Sequence, residues 1–341
     1  GFVIGVGTER TNRKYLMISG LTMQATVSAT LAVLVITNTL EYWHLMIGSF
    51  IAGIVMATEF PVRRAMIGEV VNRSSIGRAL SLEQTTNSLF RILGPFLGGV
   101  FLATVGAQGG FLLGLVLYSI GVLISLTLKY QRPKIDADYA PVLPQITEGI
   151  KYIRRSQVMI GTLAVTLELN VFGFSYLSQQ PVVARQELMV SDVLIGLLQS
   201  VEGAGAFFGA LLAVIFVRPR HYVRVYVGGS LLFLVAIVLF SQSDTYWLSL
   251  VILFFGGIGM SWFATMQSTI MIYTASPEMR SRVLGSVAVF IGIGPFGQLG
   301  IGALATIYSP PTAVLIVASL GIIGMAATLL AFPAMRRFDA P

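Results

Sequence analysis

Four ionisable side chains stand inside long apolar runs: Glu83, Arg91, Glu168 and Glu202. A charge at the centre of a bilayer costs roughly 2.5–3.5 kcal/mol on insertion scales, so such groups persist where they pair or face water. A carboxyl in apolar surroundings favours its neutral form, which suits it to loading and releasing protons near neutral pH. Glu168 is the first candidate for that chemistry, with Asn170 and Asn87 able to add polar contacts. The alternative is a carboxylate merely held by a neighbouring helix. Glu83, Asn87 and Arg91 are spaced four apart and form one polar stripe on a helix. Glu59 and Arg63, also four apart with the acid first, suit a helical ion pair, either a gate or a structural lock.

Other signals carry no chemistry. Gly292-Ile293-Gly294-Pro295-Phe296-Gly297 spells G-x-G-x-x-G, but inside an apolar run with no preceding strand, which argues against a dinucleotide site. The only two histidines, His44 and His221, lie far apart, and with no Cys in the chain a metal site is not expected. No P-loop, G-x-S-x-G or H-E-x-x-H occurs. These features argue against an ATP-driven pump and leave no catalytic constellation for an enzyme.

The elements that hold these residues follow from composition. Of 341 residues 55% are hydrophobic and 11% charged, against about 25% charged in soluble domains. The outside is therefore expected to face lipid. About 20 apolar residues cross a bilayer as a helix. Ten such stretches are expected, at 15–38, 43–62, 79–104, 110–128, 158–181, 193–217, 222–240, 247–273, 283–308 and 312–332. Residues 1–7 read as the tail of another.

If the loop at 9–14 is cytoplasmic, alternation puts 20 of the 22 basic residues on that side. Arg185 alone lies outside, and Arg91 lies inside a span. This distribution explains the net charge of +7 without a nucleic-acid partner. Residues 129–157 form the longest polar segment. Within it Ile146, Ile150 and Ile153 share a helical face, with Lys151, Arg154 and Arg155 nearby. We read a short amphipathic helix on the inner membrane surface.

The chain also repeats. Tyr42-Trp43 precedes Gly53-Ile54-Val55-Met56 at the spacing by which Tyr246-Trp247 precedes Gly257-Ile258-Gly259-Met260, and Gly94-Pro95 recurs as Gly294-Pro295. A same-direction repeat around a central loop is a transporter plan, with a substrate site between the halves. The expected organisation is a bundle over 1–128, a linker over 129–157 and a six-helix bundle over 158–341.

On these residues the chain resembles the major facilitator superfamily. Gly7-Thr8-Glu9-Arg10-Thr11-Asn12-Arg13-Lys14 is similar to its signature between the second and third helices. Pro61-Val62-Arg63-Arg64-Ala65-Met66-Ile67-Gly68-Glu69-Val70-Val71, followed by Arg91-Ile92-Leu93-Gly94-Pro95-Phe96-Leu97-Gly98-Gly99, resembles the exporter branch that includes the enterobactin exporter. Gly94, Pro95, Gly98 and Gly99 look like the antiporter element of the fifth helix.

The resemblance implies an all-α, two-bundle membrane fold with about ten complete helices of twelve. The first helix and most of the second would be missing. It implies that Glu9, Arg10, Arg13 and Lys14 form a cytoplasmic gate, which the Glu59–Arg63 pair would join if it is a gate rather than a lock. It places Glu168 on the cavity-lining seventh helix. It places Glu202 on the eighth helix, where Arg91 would pair with it in one transport state; a permanent packing pair is the alternative. The function implied is proton-driven efflux of a drug- or siderophore-like amphiphile by a monomer needing no cofactor. An importer of small polar solutes, or a non-transporting sensor or scaffold, remains open. The expected location is a bacterial inner membrane with both ends of the chain cytoplasmic. The glycine pairs Gly94/Gly98 and Gly205/Gly209 should bring helices close, and Pro95 should kink its helix. Trp262, Tyr176 and Phe172 are candidates to line a cavity.

Overall fold

The computed structural model describes residues 13–70, 76–128, 130, 142–276 and 279–335, and every one of its long elements is a helix. Eight helices among the described residues are long and apolar enough to cross a membrane. Two more, Tyr42–Met56 and Leu89–Val105, are shorter apolar parts of longer helices. Each of the ten expected stretches overlaps one of these.

The chain divides into two compact units. Gly1–Phe90 with Leu97–Val142 forms the first, and Arg91–Phe96 with Leu143–Pro341 the second. In the first unit, α1 (Arg13–Ile36) packs against α2 (Tyr42–Val70) and against α4 (Ala107–Thr127). Small residues set the distance: a Cβ on Gly20 would meet Val55 at 3.1 Å, and one on Gly114 would meet Ser28 Oγ at 3.1 Å. Helix α2 runs on to Val70 and so carries both Glu59 and Arg63. Helix α3 (Ile76–Val105) stays continuous through Pro95.

The second unit opens with α5 (Val142–Ile153). Its C-terminal end is seated on protein. Ile153 is 1% exposed and packs with Met159, Leu163, Met271, Ala275, Val283 and Val287. Gly149 lies so near Arg282 and Ser286 that a Cβ would collide with the Arg282 carbonyl, while Glu148 pairs with Arg282 and Tyr152 Oη accepts from Ser276 N at 3.1 Å. Protein offers Ile153 fuller burial than an interface would, and Gly149 permits the approach.

One apolar segment, Gln157–Gln186, is a broken helix. It runs as α6 (Gln157–Glu168), a π turn (Leu169–Gly173), a 3-10 turn (Phe174–Ser178) and α7 (Gln180–Gln186). Ser156 caps its start, accepting from Met159 N. Pro181, with no N–H to donate, sits in the first turn of α7, where that donor is not needed.

The segment packs among α8 (Asp192–Phe216), α9 (Tyr222–Ser241), α10 (Tyr246–Thr274), α11 (Arg280–Ile291), α12 (Gly294–Ile307) and α13 (Pro310–Ala331). The core is aromatic, with Tyr176, Tyr226, Phe233 and Phe240 buried. Helix α8 meets α10 backbone to backbone. A Cβ on Gly205 would strike the Phe254 carbonyl, and one on Gly257 would strike that of Glu202. The two Gly-Pro copies differ: Gly94-Pro95 lies within α3, whereas Gly294-Pro295 restarts the chain as α12 after a break.

Candidate functional site

The polar groups of the second unit gather on and around the broken helix. They sort into one satisfied network and two centres that are not.

Thr162, Thr166 and Asn170 recur every four residues and so share one face of the helix. Tyr226 Oη donates to the Thr162 carbonyl at 2.9 Å, and Gln267 Nε2 donates to Thr166 Oγ1 at 2.7 Å. Asn170 Nδ2 donates to the Thr166 carbonyl at 2.8 Å. The network ties α6, α9 and α10 together at depth. Asn170 is thus a bonded core residue.

Glu168 closes α6 just before the π turn, on a different face. Its Oε1 accepts from Thr328 Oγ1 of α13 at 2.6 Å, and its Oε2 is buried without a partner. Gly324 leaves room for it, since a Cβ there would meet the carboxyl at 3.3 Å. Single π turns within helices are frequent at functional sites, and this one adjoins the half-satisfied carboxyl.

Glu202 of α8 is 4% exposed, and its Oε1 accepts from Tyr176 Oη at 2.6 Å. Arg91 lies within electrostatic reach of this carboxyl. Its Nη2, however, donates to Met260 Sδ at 3.2 Å. In this state the partner of Glu202 is Tyr176, a residue expected to line a cavity. Trp262 is likewise engaged, its Nε1 donating to the Gly209 carbonyl at 2.9 Å. No local pattern pairs a phenol in a 3-10 turn with an acid 26 residues away.

The glycines near Arg91 act differently from expectation. Gly94 and Gly98 face open space. The close approach is made from α8: a Cβ on Gly203 would lie 2.9 Å from the Arg91 carbonyl, and one on Gly196 would collide with that of Pro95. Gly99 is buried. The Gly205/Gly209 pair does seat α8 against α10, at Phe254 and Ile258.

Asn87 is exposed, and the side chain of Glu83 lies outside those described. Of the six gate residues, Glu9 and Arg10 lie outside the described residues, and the other four fall in the first unit. Glu59 and Arg63 form an i,i+4 ion pair at 3.3 Å. Lys14 Nζ donates to the carbonyls of Leu126 and Leu128 at 2.9 and 2.8 Å, satisfying the C-terminal end of α4 with a cation.

The transmembrane secretion effector family matches residues 1–340. The chain belongs to this family of major facilitator transporters. It is 24% identical over 298 residues to the staphyloferrin A transporter of Staphylococcus aureus, a match covering 85% of this chain and 74% of that protein. It is 22% identical over 197 residues to the MFS-type transporter YvqJ of Bacillus subtilis, covering 56% of this chain and 46% of that one. Two solved structures share its fold. A bacterial homologue of the lysosomal transporter Spinster has a TM-score of 0.70 at 13% identity, over 99% of this chain and 86% of that one. The nucleoside transporter NupG has a TM-score of 0.74 at 14% identity, over 97% and 86%. The family member described here is thus an integral membrane transporter of small molecules and not an enzyme.

Proposed function

We propose that this chain forms the core of a proton-coupled exporter of a small amphiphilic molecule, of drug- or siderophore-like chemistry. It would work by alternating access between two helix bundles, over 1–128 and 158–341, as a monomer in a bacterial inner membrane, with both ends cytoplasmic. The proton gradient would supply the energy. Export is favoured by the secretion effector family and by the Gly-Pro-x-x-Gly-Gly run at 94–99. Relatedness to a protein that transports staphyloferrin A favours the substrate class.

The observation that carries proton coupling is Glu168. It is an acid on a broken membrane helix with one oxygen bonded to Thr328 and the other buried and unpartnered. A group so placed changes its bonding when it gains or loses a proton. Arg91 and Glu202 would exchange Met260 and Tyr176 for each other in another state of the cycle.

The test uses inside-out membrane vesicles with an acid interior and a pH dye. Proton release on adding a siderophore or cationic drug, lost in Glu168→Gln, is the expected result. Substrate-driven proton release that persists in Glu168→Gln removes that residue from coupling. Substrate flux without proton movement, or flux only of polar solutes, would favour a facilitator or an importer.

A further inference from the structure

One buried amide is used by neither the satisfied network nor Glu168. Gln180 is 0% exposed, yet neither its Oε1 nor its Nε2 has a hydrogen-bond partner. It lies beside the Glu202 carboxyl, close enough to act on it but outside hydrogen-bond geometry. The surrounding elements provide little else. The 3-10 turn offers Tyr176, committed to Glu202 Oε1. Helix α3 offers Arg91, which donates to Met260. Helix α10 has no titratable residue from Phe254 to Met260. Buried amides in native interiors find a protein partner or an ordered water.

We propose that Gln180, Glu202 and Tyr176 enclose a site for a single water, which bridges the Gln180 amide to the Glu202 carboxyl and passes protons to it. The ligand must be water-sized, because Tyr176 is 1% exposed, Gln180 0% and Glu202 4%. The positive charge of Arg91 nearby disfavours a metal cation in its place. Water suits both ends of an amide, since it can donate to Oε1 and accept from Nε2. Loading moves one proton from a hydronium at this site to the Glu202 carboxylate and leaves neutral water; release reverses that step. Its use in transport rests on the proton-coupled reading above, whereas its occupancy by water does not.

The test is pH-difference infrared spectroscopy on the chain in lipid nanodiscs, in ordinary and in heavy-oxygen water. A water O–H stretch that shifts with the heavy isotope is expected. It should be lost in Gln180→Leu and in Glu202→Gln, and kept in Gln267→Leu, where the changed amide belongs to the satisfied network. Gln180→Met serves if the leucine variant does not fold. Absence of the band in the unaltered chain, or its survival in both Gln180 variants, overturns the proposal. Glu168→Gln separates the two readings. A band kept there while proton release is lost supports a distinct water site, and a band lost there assigns the water to Glu168. Transport without proton release, with the Gln180-dependent band present, sinks the coupling reading and leaves the water site standing.

Discussion

The Tyr176 hydroxyl donates to Glu202 Oε1 at 2.6 Å, with both side chains buried. The bond joins the 3-10 turn of the broken helix to the middle of α8. Tyr176→Phe keeps the ring, which packs edge-on to Phe233 and Phe240 at centroid distances of 5.9 and 6.3 Å. What it removes is the donor to a buried carboxyl. The expected loss is about 1–3 kcal/mol of stability. Thermal unfolding in nanodiscs measures it. Equal stability of the variant would mean that another donor, such as Arg91, takes the carboxyl.

The glycine seams give a contrast that can be tested pairwise. Gly257→Ala forces a Cβ onto the Glu202 carbonyl, where no flexible side chain can yield. Overpacking of this kind costs about 1–3 kcal/mol. Gly94→Ala and Gly98→Ala meet open space and gain helix propensity, worth about 0.5–1 kcal/mol each. Unfolding midpoints should therefore fall for the first and hold or rise for the others. Loss of flux in a stable Gly94→Ala protein would show that the Gly-Pro element acts in transport rather than in packing.

The satisfied network should behave as structure. Gln267→Leu strips the donor from Thr166, and Thr166→Val removes the hydroxyl that also lies 3.2 Å from Tyr226. Each is expected to cost about 1–3 kcal/mol, since polar partners are left buried. The pH profile of transport should keep its shape in both. A displaced profile in Gln267→Leu, with folded protein, would move this network into the coupling machinery.

Helix α5 should behave as part of the second unit. Gly149→Val sets a branched side chain against the Arg282 carbonyl and should free the helix. Hydrogen exchange would then speed up across 142–153. Tyr152→Phe, which removes the acceptor for Ser276 N, should cost less, about 0.5–1.5 kcal/mol. Unchanged exchange in Gly149→Val would mean that Ile153 alone holds the helix.

Much of the architecture was decided by the chain's chemistry before any fold. Apolar runs of about 20 residues must become helices in lipid, because their backbone groups have no other partner there. Scarce charge and apolar runs of span length carried the membrane class. The isolated acids Glu168 and Glu202 stood out for the same reason, as costly exceptions in an apolar setting. An i,i+4 pair such as Glu59 and Arg63 is also local, so spacing alone placed it.

Partners distant along the chain were a different matter. Spacing could not show that Glu168 meets Thr328, 160 residues on, or that Glu202 is held by Tyr176 rather than Arg91. Nor could composition tell Gly94, which faces open space, from Gly257, which lies against a backbone carbonyl. The two Gly-Pro copies read alike, yet one stays inside a continuous helix and the other restarts one. Helical periodicity determines which residues share a face. Which neighbour that face meets, and at what depth, depends on how the helices cross, and only the tertiary structure decided that.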